Sequence, residues 1–148
     1  RDMNKWLANT FLLEGASEGL MSVSPTTAAY LDGHISIPQG KQWTDFTSSE
    51  RRSMFKGQLS EFERSEYIQH VRSPEKNAVY AAANLNYLKE LVFPQKRMNQ
   101  LSDNELAELA DWYNAGTNSV DELTPYGQNV LAIIKSVRKK YPDICKCP

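Results

Sequence analysis

Glu14 stands where an apolar stretch gives out: Trp6, Leu7, Phe11 and Leu13 precede it at three-and-four spacing, and Gly15 follows. A carboxyl group at such a boundary, half-buried against Phe11 and Leu13, loses hydration of its charged form. Its pKa then rises and it can hold a proton near neutral pH. Cleavage of a glycosidic bond needs an acid of this kind, because the leaving sugar oxygen must be protonated as the bond breaks. A glutamate at a helix end is more often solvated or capping a neighbour, so the residue by itself does not carry that chemistry. Glu18, four residues on, is the alternative acid.

Five segments read as helices, and they decide what could stand near such an acid. Residues 4–13 form the first, with glycine at 15 a plausible stop. The stretch 19–40 breaks the pattern: Ser24-Pro25, Asp32-Gly33 and Pro38-Gln39-Gly40 mark turns. Residues 34–37 alternate Ile35 and Ile37 with polar side chains, which suits a small β-hairpin. Thr47-Ser48-Ser49-Glu50 is a capping box opening a helix through Phe55, Leu59 and Phe62, with Gly57 as a point where it could break. Ser73-Pro74 supplies an N-cap and a first-turn proline. The helix that follows is expected to bury Ala78, Ala81, Ala82, Leu85, Leu88 and Leu91, and to stop before Pro94. Its Ala81-Ala82-Ala83 run would allow a neighbouring helix to approach closely. Ser102-Asp103-Asn104-Glu105 is a second capping box, with Leu106, Leu109, Ala110 and Tyr113 on one face and Gly116 as the stop. Thr124-Pro125 caps the last helix, whose buried stripe is expected to be Tyr126, Val130, Ile133, Ile134 and Val137. Lys135, Arg138, Lys139 and Lys140 suit the negative end of its dipole. The expectation is a mainly α fold, one domain over residues 1–148, with 142–148 a loose tail.

Three motifs stand with Glu14 in chain order. Gly19-Leu20-Met21-Ser22-Val23-Ser24-Pro25-Thr26-Thr27-Ala28 follows the first helix closely, Trp112-Tyr113-Asn114-Ala115-Gly116 closes another, and Tyr126 opens the last. The arrangement resembles the goose-type lysozyme and soluble lytic transglycosylase superfamily, over most of the chain from Ala8 to about Tyr141. In that family a helix ends in the catalytic Glu. A Gly-Leu-Met-Gln stretch then precedes a Pro-x-Thr-Ala run, followed by a Tyr-Asn-Ala-Gly turn and a Tyr-led terminal helix. The resemblance implies a lysozyme-like helical domain that cuts the β-1,4 bond between N-acetylmuramic acid and N-acetylglucosamine in peptidoglycan, by hydrolysis or by lytic transglycosylation. Carried over, Glu14 is the general acid and Ser22 takes the place of a groove-lining Gln. Tyr113 and Asn114 contact the glycan, and Tyr126 adds a ring and hydroxyl beside them. Rings pack on sugar faces, while amides and hydroxyls bind ring substituents. Two features depart from the family: the stretch from Glu14 to Gly19 is short, and Ser22 is smaller than Gln.

A second carboxylate would activate water across the sugar ring in an inverting hydrolase, about 6.5–9.5 Å from the acid. Asp32 and Asp45 are the candidates, and each also reads as a turn or capping residue. With no second carboxylate, the substrate's own groups could close an anhydro ring against a single Glu. A non-catalytic glycan-binding module on the same fold is the alternative function.

Other chemistries find little support. With 17 basic and 18 acidic residues the net charge is −1, whereas reliance on a nucleic-acid backbone calls for a basic excess. No run of about eighteen apolar residues predicts a membrane span. His34 and His70 lack the spacing and companions of a metal pair, so neither metal nor cofactor is expected. No nucleophile elbow or phosphate-cradling glycine loop occurs. Trp6 and Trp43 could stack on sugars, although tryptophan is more often core. Glu61, Glu63, Arg64 and Glu66 read as a solvated face. Cys145 and Cys147 are too close for an unstrained mutual disulfide, which suits a tail with free or intermolecular thiols. The first residues do not read as an export signal. The wall substrate nonetheless implies a periplasmic or extracellular monomer, with glycan strands as partner and an inhibitor or immunity protein as a second partner class.

Overall fold

A computed structural model describes residues 23–115 and 122–142. The first helix (4–13), Trp6, Glu14, Glu18, Ser22, Gly116, Cys145 and Cys147 lie outside the described residues. The described residues are mainly helical, with six α-helices and no extended strand. None of these helices is long and apolar enough to cross a membrane. The chain divides into two compact units, Arg1–Asn84 and Leu85–Pro148.

In the first unit, α1 (Pro25–Leu31) begins at Ser24, whose Oγ accepts the Thr27 N–H at 3.2 Å, with Pro25 in the first turn. The Ser24-Pro25 pair that reads as a turn is therefore a helix start. At the other end Gly33 adopts φ 79°, and the N–H groups of Gly33 and His34 return to Tyr30 O and Ala29 O, both at 2.9 Å. This is the Schellman closure that favours glycine. Helix α2 (Ser48–Gln58) opens on the Thr47–Glu50 box, and α3 (Glu61–Arg72) on a further box, Ser60–Glu63. The chain breaks at Leu59 and Ser60, not at Gly57, because Ser60 offers the next helix a cap. Phe62 is 73% exposed.

Helix α1 packs on α2 and α3, its Ala28 and Ala29 fully buried against a core of Phe55, Leu59, Ile68 and Val71. Trp43 belongs to this core. It lies in a 3₁₀ turn (Trp43–Asp45), stacks on Tyr30 at 4.6 Å and donates Nε1–H to Thr27 Oγ1 at 3.3 Å. Residues 34–37 form no hairpin. Ser36 exchanges both backbone bonds with the Gln58 amide, 2.7 and 2.9 Å, so this segment pairs with a side chain where a strand partner would otherwise be required.

Helix α4 (Pro74–Val92) contains the boundary between the units. Its buried residues are Asn77, Ala81, Leu88 and Lys89, while Ala78 and Ala82 are exposed. Asn77 makes the difference: its amide donates to Val71 O at 2.7 Å, which lets a polar side chain be fully buried and turns the helix from its purely apolar register.

In the second unit Leu88, Leu101 and Leu109 form a core, joined by Leu85, Phe93, Leu106, Trp112 and Tyr113. Helix α5 (Asp103–Ala115) opens on the Ser102–Glu105 box and packs on α6 (Pro125–Lys140). The stripe expected to be buried along α6 is largely outside: Tyr126, Ile133 and Val137 are exposed. Gly127 is buried, and Leu131, Ile134 and Arg138, on the same face, are part-buried. Arg138 Nε and Asp103 Oδ1 meet as an ion pair at 2.7 Å whose N–H is not aligned for a hydrogen bond.

Candidate functional site

The last turn of α5 and the first turn of α6 carry three of the residues the sequence singles out. Tyr113 is half-buried against the second unit's core, Asn114 is exposed, and Tyr126 is 44% exposed. Burial raises the Tyr113 phenol first, and the neighbouring Tyr126 adds to the rise, taking it up to about 12. The two tyrosines lie on helices that pack on each other, Tyr113 in the last turn of α5 and Tyr126 in the first turn of α6. At physiological pH Tyr113 is a neutral phenol, suited to hydrogen bonding rather than to acting as an ionised base.

A residue that sequence reading passed over brings these two turns together. Asp111 is 2% exposed, and its carboxylate faces the head of α6. Oδ2 accepts the Thr124 N–H at 2.9 Å and Oδ1 accepts the Thr124 hydroxyl at 2.5 Å. Thr124 Oγ1 in turn accepts the Gly127 N–H at 3.3 Å. The carboxylate thus lies at the positive end of the α6 dipole and receives charge-assisted bonds, which offset the cost of burying it. Gly127 makes room for this: a Cβ there would clash with the Asp111 carboxyl group. The sequence signal was a glycine inside a helical first turn, which costs about 1 kcal/mol against alanine and so points to a packing demand. This close approach also explains the turned α6. Seating Gly127 on Asp111 sends the 127, 131, 134 and 138 face inward and leaves Tyr126, Ile133 and Val137 outside.

The two carboxylates considered for water activation lie in the first unit, and both have structural work. Asp45 accepts the Gln42 N–H at 2.8 Å, closing the 3₁₀ turn. Asp32 caps α1, and its Oδ2 accepts both the Tyr67 phenol at 2.9 Å and the Tyr80 phenol at 2.8 Å. Burial first, then the bond to Asp32, hold both phenols well above the ordinary tyrosine range. His34 Nδ1 lies 2.7 Å from the same Tyr67 hydroxyl. Sequence reading missed Tyr67 and Tyr80, which come from 35 and 48 residues away along the chain. Among the described residues no group of three or more His, Cys, Asp or Glu could hold a metal ion. Glu14, Glu18 and Ser22 fall outside the described residues.

Compared with protein-family models, curated proteins and solved structures, the chain matches none.

Proposed function

We propose that this chain cleaves the glycan strands of peptidoglycan at the β-1,4 bond between N-acetylmuramic acid and N-acetylglucosamine, with Glu14 as general acid. The observation that carries the reading is the packing of α5 on α6, in which the Asp111–Thr124 clamp ties the α5 turn that carries Tyr113 and Asn114 to the α6 turn that carries Tyr126. These are the aromatic and amide elements of the lysozyme-like motif order. They come together through a buried carboxylate and a glycine that motif matching did not use. In this reading two phenol rings and an amide hold the sugar by ring contact and hydrogen bonds, and Glu14 protonates the leaving oxygen. Positive charge then builds at the anomeric carbon. It is relieved by bonding to the oxygen of water in a hydrolase, or of the substrate's own 6-hydroxyl in a lytic transglycosylase, which leaves a 1,6-anhydro end; in either case the attacking group's proton passes to the Glu14 carboxylate, which restores the acid. Asp45 is engaged in a cap and Asp32 by two phenols, which favours the route that needs no second carboxylate. The reading calls for no cofactor and locates the protein in a periplasm or outside the cell.

Purified peptidoglycan incubated with the wild-type chain should release muropeptides, and mass spectrometry of the ends distinguishes reducing from anhydro products. Glu14→Gln should lower turnover by at least a hundredfold while leaving glycan binding in place. If Glu18→Gln abolishes turnover and Glu14→Gln does not, the acid is Glu18. Binding without any cleavage by the wild type would mark a glycan-reading module, and neither binding nor cleavage would reject the proposal.

A further inference from the structure

We infer that Asp111 is a positioning residue: with Gly127 it seats the first turn of α6 so that Tyr126 stands beside Tyr113, an assignment whose functional half rests on the glycan-cleaving role proposed for that edge. Thr124 alone suffices to cap α6, since its hydroxyl already accepts the Gly127 N–H. The Asp111 contacts are additional and come from another helix. They spend a buried carboxylate on one threonine, gripping both its N–H and its hydroxyl, and they demand a glycine beneath that carboxylate. Two anchors on one residue fix translation and rotation of the α6 head, where a single cap would leave it free to pivot. The residue so fixed lies two positions before Tyr126. On α5, Asp111 also precedes the exposed Asn114 by three positions, so the clamp lies within one turn of that amide. Replacing both partners of a buried hydrogen-bonded pair with apolar groups of the same shape can be nearly neutral or stabilising. Geometry at the glycan edge is what the carboxylate supplies and apolar packing would not.

The test uses the full chain with Asp111→Asn, Thr124→Val and the conservative Thr124→Ser. Ring-proton NMR signals of Tyr113 and Tyr126 report the geometry without reference to any activity, and KM and kcat on solubilised glycan strands report its use. Asp111→Asn and Thr124→Val should each shift both sets of ring signals and raise KM about tenfold with kcat nearly unchanged, because the tyrosines hold substrate and do not transfer the proton. Thr124→Ser should restore wild-type behaviour in both readouts. Should Asp111→Asn fail to fold, Thr124→Val still removes one anchor. A drop in melting temperature with unmoved ring signals and unmoved KM would reduce Asp111 to a structural role and overturn the assignment. Moved ring signals with an unmoved KM in an active enzyme would overturn its functional half. If the wild type shows no turnover, the glycan-cleaving role fails, and the ring signals alone then decide whether Asp111 sets the tyrosine pair.

Discussion

Tyr67 has one phenolic proton and two neighbours that could take it. Asp32 Oδ2 at 2.9 Å is a carboxyl oxygen that accepts the phenolic proton, whereas His34 Nδ1 at 2.7 Å accepts or donates according to its tautomer. Giving the proton to the carboxylate makes the charge-assisted bond, so His34 must donate its Nδ1–H to the phenol oxygen. The imidazole is thereby held in the Nδ1–H form. Nitrogen-15 NMR of the wild type should show that tautomer, and Tyr67→Phe should release the ring to the Nε2–H form favoured in water. The same substitution removes two hydrogen bonds from a 4%-exposed ring and should lower stability by about 1–2 kcal/mol in urea unfolding. An Nε2–H tautomer in the wild type would mean that Tyr67 donates to His34 and that Asp32 relies on Tyr80.

Helix starts set the architecture at the next scale, and most were legible from sequence. Thr47–Glu50, Ser73-Pro74, Ser102–Glu105 and Thr124-Pro125 all open helices as their chemistry requires. Two starts are less legible. Ser24-Pro25 heads a seven-residue helix, too short for an apolar repeat to register, and Ser60–Glu63 is embedded in a charged run that reads as one long helix. Helix faces were less legible than helix starts. Those of α4 and α6 depend on Asn77 and Asp111, polar residues buried because of partners elsewhere in the chain. The candidate site divides in the same way. Tyr113, Asn114 and Tyr126 could be found by motif, while Asp111 could not, its partner lying 13 residues on. Ser60 gives the sharpest test at this scale, because it alone separates α2 from α3 with a side-chain cap. Ser60→Ala should cost about 1 kcal/mol, read as a lower melting temperature, and Ser60→Asp should recover most of that loss. A melting temperature unmoved by Ser60→Ala would mean that burial of Leu59 and Tyr67, and not the cap, stops α2.

Across the whole molecule, pH tests whether these caps act together. Glu50, Glu63 and Glu105 each occupy the third position of a helix and accept the N–H of the capping residue, at 2.7, 2.7 and 2.8 Å. The backbone bond from Thr47 or Ser60 is the main reason that Glu50 and Glu63 titrate below the ordinary 4.5. For Glu105 the Lys96 ammonium leads and the Ser102 N–H follows. A folded-state pKa below the unfolded one means the contribution is complete above about pH 4.5 and is lost as pH falls through the folded values. The phenols act in the opposite direction. Tyr67, Tyr80 and Tyr113 are raised, so their contribution is complete below the ordinary value of 10 and is lost as pH rises through the folded values. The melting temperature should therefore hold a plateau through neutral pH and fall off on both sides. The triple variant Glu50→Gln, Glu63→Gln, Glu105→Gln should melt lower at neutral pH and show a shallower acid limb, with the alkaline limb unchanged. High salt should separate the causes: it screens the exposed Lys96–Glu105 pair while sparing the backbone bonds at Glu50 and Glu63. Salt should then weaken the acid-limb contribution of Glu105 more than that of the other two, when each single variant is melted in turn. An acid limb in the triple variant that overlays the wild type would show that other carboxylates control acid unfolding.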